Sequence, residues 1–153
     1  MLYKFVVFMI CLLPWLFSAI IPVDYNYFNT IQLPFFAPGR SFYGIAWTII
    51  YVLIAISIYG IISRYRFRDI PKSYKIALIV NYLFNQSFTL VFFGLKNNFL
   101  GFVSCLGTFI SALFLYQETY ILKEKSTKLL DPYILLSLFA TILSLTIYVI
   151  NTL

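Results

Sequence analysis

The chain has 153 residues, of which 62% are hydrophobic, 21% aromatic and only 10% charged, and its mean hydropathy is +0.92. Soluble domains are about 45–50% apolar and about 25% charged, and a fold of this size has too little interior to hide the surplus, so a water-soluble enzyme, a disordered chain and a disulfide scaffold are poor descriptions. The formal charge of +6 belongs in loops, because a basic side chain at the centre of a bilayer costs at least about 2.5–3.5 kcal/mol. It therefore reports orientation in a membrane before it reports nucleic-acid binding.

At about 20 residues per membrane helix there is room for about five spans. In chain order, the apolar stretches are 5–22, 42–63, 74–95, 99–121 and 132–150. The first has a positive charge, Lys4, before it, as a signal peptide would, but four more spans follow, and it is read as a retained helix. The second ends at Arg64, Arg66, Arg68, Lys72 and Lys75. The third closes at Gly94, ahead of a Lys96-Asn97-Asn98 turn, and Asp131 and Pro132 are predicted as N-cap and first turn of the fifth. The stretches are too long for ordinary strands and lack the alternation of a membrane barrel. Helices satisfy every backbone hydrogen bond internally, as hydrocarbon requires. The expected fold is all-α: a single membrane domain over 1–153, built as a five-transmembrane-helix bundle.

Lys4, Arg64, Arg66, Arg68, Lys72, Lys75, Lys123, Lys125 and Lys128 fall on one side of such a bundle, and only Arg40 and Lys96 on the other. The positive-inside rule then predicts an inside N-terminus and an outside C-terminus. Cys11 and Cys105 lie inside apolar runs, as small packing residues do. With no His and few acids, no metal site is expected.

The 1–2 loop, residues 23–41, carries Pro34, Pro38, Gly39 and five aromatics. It reads either as an interfacial belt or as a lid over the mouth of the bundle. On the second helix, Tyr43, Trp47 and Tyr51 form a drifting stripe. The Trp47 N–H needs an acceptor if it is buried; lipid-facing or packed placement is the alternative. On the third, Asn81, Asn85, Phe88 and Phe92 share a face, flanked by Gln86, Ser87 and Thr89. Amides are costly in lipid, so the face is expected to point inward, either to fix helix packing or to wall a cavity. Gly101, Ser104, Cys105, Gly107, Thr108, Ser111 and Ala112 permit close contact of the fourth helix within the monomer or in a dimer. Asp24, Asp69, Glu118, Glu124 and Asp131 lie in loops or at helix ends, and no catalytic constellation is present.

These residues carry a resemblance to the TspO/MBR family, the tryptophan-rich sensory proteins of bacteria and the mitochondrial translocator protein. The segment LPFFAPGRSFYGIAWTIIY (33–51) is similar to the family's proline- and aromatic-rich stretch in Pro34, Phe36, Pro38, Trp47, Thr48 and Tyr51. NYLFNQSFTLVFFGL (81–95) resembles a second motif in Asn85, Phe92, Phe93, Gly94 and Leu95, and LLDPYILLSLFATIL (129–143) a third. The resemblance implies a cavity opening toward the 1–2 loop that takes tetrapyrroles, protoporphyrin IX or a haem-like relative, as ligand rather than cofactor. In eukaryotic members it implies sterols and benzodiazepine-type drugs as well. By motif, Trp47, Tyr51, Asn85, Phe88, Phe92 and Ala140 are the expected ligand-binding residues, and Pro34, Phe36 and Pro38 the expected lid.

Ser41, Phe88 and Leu136 stand where the family often has Trp, Gly39 where it has a second Pro, and Ile45 where it has a Pro. Light-dependent porphyrin breakdown, attributed in some bacterial members to paired cavity tryptophans, is thus the weaker expectation, as is a purely structural membrane partner. The implied partners are the lipid bilayer, a porphyrin-type or sterol-like small molecule and a second copy of the chain, with no nucleic acid. The composition, rich in Ile, Phe, Tyr, Asn and Lys, suits a bacterial cell membrane.

Overall fold

The computed structural model describes residues 2–122 and 125–152. Among these there are six α-helices and no strand. They are α1 (Leu2–Leu12), α2 (Tyr25–Thr30), α3 (Arg40–Arg64), α4 (Lys72–Thr89), α5 (Asn98–Ile121) and α6 (Asp131–Thr152). Five segments are long and apolar enough to cross a membrane: Leu2–Ile20, Arg40–Arg64, Lys72–Gly94, Asn98–Ile121 and Lys125–Thr152. Outward positions such as Ile45, Ile49, Ile79, Leu83, Phe114 and Leu135 are exposed and apolar, as a lipid solvent demands.

The first span is not one uniform helix. After Leu12 the chain tightens into a 3-10 helix, Leu13–Ile20, with Pro14 in its first turn. Proline has no N–H to donate and its ring crowds the preceding turn, so the α-helical ladder ends there. Side chains from α4 stitch this segment down. The Tyr82 hydroxyl donates to the Pro14 carbonyl at 3.2 Å, and the Gln86 amide donates to the Trp15 carbonyl at 3.2 Å while accepting from the Ser18 N–H at 2.8 Å.

Two further boundaries differ from the sequence expectation. The third span is α-helical only to Thr89 and finishes as a π-helix, Leu90–Gly94. Asp131 is not an N-cap: a 3-10 helix, Lys125–Leu130, runs directly into α6 and leaves Asp131 inside its first turn. There its carboxylate still faces the positive end of the helix dipole. Lys123 and Glu124 lie outside the described residues.

The small residues of α5 are used within the chain. A Cβ on Gly101 would sit 2.6 Å from the Phe92 ring, and one on Gly107 would collide with the Phe84 ring. Absent side chains thus let α4 and α5 approach closely. Ser87 and Ser104 meet across that seam at 2.6 Å.

Apolar packing is split into two clusters. One gathers Trp15, Tyr51, Ile54, Ile58, Leu115 and Tyr133, with Trp47 against it. The other, at the end facing the 1–2 loop, gathers Ile31, Phe92, Leu143 and Ile147. The space that separates them is the candidate site.

Candidate functional site

A cavity of about 530 Å³ lies among α3, α4, α5 and α6, bounded by the 3-10 segment of the first span and the 1–2 loop. Ligand pockets are commonly about 300–1,000 Å³, mostly apolar, with a few polar anchors. Each helix contributes by its period. From α3 come Arg40, Gly44, Trp47 and Tyr51, one face running three turns, or about 16 Å, into the bundle. From α4 and its π-helical end come Asn85, Phe88 and Phe92; from α6 come Ser137, Ala140 and Ser144.

All six residues expected from the motifs as ligand contacts, Trp47, Tyr51, Asn85, Phe88, Phe92 and Ala140, line this one space. Phe88 and Phe92 stack at 5.1 Å with planes 15° apart, giving a flat aromatic wall. Trp47 lies 5.8 Å from Tyr51, which in turn lies 6.0 Å from the buried Trp15. The lid residues are placed differently. Pro34, Phe36 and Pro38 are half-buried and do not line the cavity. Phe36 packs edge-on against Phe139 of α6 at 6.4 Å, within the outer apolar cluster. The loop residues that do reach the cavity are Val23 and Phe28.

The closed end is a buried hydrogen-bond network that ties all five spans together. Tyr51 donates its hydroxyl to Asn85 Oδ1 at 3.0 Å, and Gln86 donates to the same oxygen at 3.2 Å. Asn85 Nδ2 reaches the Tyr133 hydroxyl at 3.4 Å, and Tyr133 donates to Asn81 Oδ1 at 2.9 Å. Asn81 Nδ2 then donates to the Thr108 carbonyl and to Ser111 Oγ, at 3.2 and 3.0 Å. Asn81 is wholly buried and Asn85 nearly so. An inward amide face was legible in the sequence. Gln86 was read as flanking that face, but the bonds to Tyr51, Tyr133 and Ser18 were not legible, because each spans tens of residues and nothing local marks it. The two sequence alternatives are both realised, since Asn81 fixes helix packing and Asn85 both packs and walls the cavity.

The 1–2 loop is not a free tether. Asp24 caps α2, accepting from the Tyr27 N–H at 3.0 Å, and pairs with Lys96 at 2.9 Å. The Tyr27 hydroxyl donates to Asn98 at 2.8 Å. Asn151 exchanges two hydrogen bonds with the Gln32 backbone, at 2.9 and 3.0 Å. Lys96 takes the left-handed backbone region, φ 52°, where Gly or Asn is usual after a helix. Asp24 was read only as an acid in a loop or at a helix end, and α2 was missed because one and a half turns carry too little periodicity to read.

The Tyr27 backbone N–H, then Lys96, holds the Asp24 carboxyl below its ordinary range. A carboxyl depressed in the folded state contributes stability above its unfolded pKa and loses it as pH falls through the folded one. Acidification through and below the ordinary carboxyl range is therefore expected to loosen α2. Exchange protection of the Tyr27 amide should drop in that window in the natural chain. In Asp24→Asn, which still caps but cannot pair with Lys96, protection should stay flat across it; equal acid sensitivity in both would contradict the assignment.

A five-span helical bundle with an internal, aromatic-walled cavity beneath a loop helix defines a multi-pass integral membrane protein, and its similarity to known proteins agrees. The chain belongs to the TspO/MBR family, whose model matches residues 5–150. It is 38% identical over 134 residues to a tryptophan-rich protein TspO of Bacillus cereus, covering 88% of this chain and 86% of that one. It is 34% identical over 139 residues to an uncharacterized membrane protein, YtaB, of Bacillus subtilis, covering 89% of each. A tryptophan-rich protein TspO of Archaeoglobus fulgidus is 30% identical over 128 residues, covering 82% of this chain and 80% of that one. The family membership supports a membrane protein of sensory or transport type.

Proposed function

We propose that this protein binds a flat, largely apolar tetrapyrrole of the protoporphyrin IX kind in the cavity and acts on it as sensor, carrier or scavenger. The observation that carries the reading is the convergence of six motif residues, from α3, α4 with its π-helical end, and α6, on one space of about 530 Å³. The stacked Phe88 and Phe92 offer a planar face of the kind a macrocycle packs against. Asn85 and Tyr51 form a floor whose polar atoms are already mutually satisfied, so the site asks chiefly for shape and apolar area. The basic residues Arg64, Arg66, Arg68, Lys72 and Lys75 cluster at the end opposite the 1–2 loop, which supports an inside N-terminus and a cavity facing outward.

The test is tryptophan fluorescence of the purified protein titrated with protoporphyrin IX in detergent. Trp15 and Trp47 are the two emitters, and Trp47 lines the cavity while Trp15 is buried behind Tyr51. Saturable quenching near one ligand per chain is expected, with Trp47→Phe losing the larger component. Absence of saturation would remove tetrapyrroles as the ligand.

A further inference from the structure

We infer that Arg40 makes the cavity selective for ligands that carry an acid group on a flat apolar body. The inference rests on the cavity-binding reading above and assigns it a polarity. Among the described residues that line the cavity, Arg40 is the one with a charged side chain; the remainder are apolar, aromatic, hydroxyl, amide, thiol or glycine. It stands at the start of α3, on the face that descends through Gly44 and Trp47 to Tyr51.

Its guanidinium is held in place. It donates to the Asn29 side-chain oxygen and lies over the Phe28 ring, 5.1 Å from the centroid. Both anchors belong to α2, so the loop helix sets where the charge sits. A guanidinium is a planar fork that meets a carboxylate through two parallel N–H groups. The deep end offers no such anchor, because the Asn85 oxygen already accepts from Tyr51 and Gln86 and its nitrogen already reaches Tyr133. A ligand acid is thus expected at the Arg40 end and the ring system between Trp47 and the Phe88–Phe92 pair.

The experiment uses two acid–ester pairs in neutral maltoside detergent at pH 7: protoporphyrin IX with its dimethyl ester, and 1-pyrenebutyric acid with its methyl ester. The natural chain is expected to bind each acid at least about tenfold more tightly than its ester, about 1.4 kcal/mol. Arg40→Gln should lose that preference by weakening the acids alone, and Arg40→Lys, which keeps the charge without the fork, should recover part of it. Equal affinity for acid and ester in the natural chain, an unchanged preference in Arg40→Gln, or no binding of either pair overturns the inference. Failure of the porphyrin pair alone, with the pyrene acid still preferred, overturns the tetrapyrrole reading and supports the role of Arg40.

Discussion

Replacing Ala140 by Trp is expected to abolish saturable porphyrin binding while leaving the bundle folded. Ala140 is half-buried on α6 and faces the cavity. An indole there enters open volume, which avoids the strain that overpacking a dense core brings. The space it takes lies beside Ser137 and Ser144 on α6, in reach of the ring system of any ligand seated between α3 and α4. Binding should weaken by about a hundredfold or more, equivalent to about 2.8 kcal/mol. The apparent Tm in detergent should stay near that of the natural chain. Unaltered affinity in a folded Ala140→Trp protein would place the ligand outside the bundle.

Loss of Asn81 should be the most damaging polar substitution for stability. Asn81 joins α4 to α5 through Thr108 and Ser111 and to α6 through Tyr133, and it is wholly buried. Single interhelical hydrogen bonds in membranes average about 0.6 kcal/mol and reach about 1.7. Asn81→Leu removes three of them and takes the acceptor from the Tyr133 hydroxyl, which is fully buried, so a loss of about 2–3 kcal/mol is expected. Denaturant unfolding in mixed micelles reads this directly. Because Tyr133 and Asn81 share one bond, the double variant with Tyr133→Phe should cost less than the sum of the two singles. Strict additivity would mean that the network is not a unit.

What the sequence disclosed divides along a physical line. Apolar run length marked the five spans, since hydrocarbon thickness fixes a minimum that no loop imitates. Helical period placed Asn81, Asn85, Phe88 and Phe92 on one face, and the structure turns Asn81, Asn85 and Phe92 inward with Phe88 at the cavity wall. The turn at Asn97 was readable punctuation, whereas Pro14 and Asp24 act through contacts that the sequence does not mark. Pro14 ends the α-helical part of the first span, and Tyr82 and Gln86 of α4 hold the tighter segment that follows. The Asp131 assignment failed because an acidic residue before Pro looks the same at an N-cap as within a helix entered from a 3-10 turn. Pro34, Phe36 and Pro38 were expected to shape a lid over the mouth of the bundle. Phe36 packs in the outer apolar cluster, and Phe28 reaches the cavity from α2, the short helix that Asp24 caps. Contacts of this kind, such as Gln32 with Asn151 across 119 positions, leave no local trace.

The most direct measurement is a crystal structure of the chain grown with protoporphyrin IX. The account predicts electron density for the macrocycle between Trp47 and the stacked Phe88 and Phe92, passing over Ala140, with a carboxylate on Arg40. A cavity that holds no macrocycle, or a macrocycle bound only on the lipid-facing surface, would contradict it.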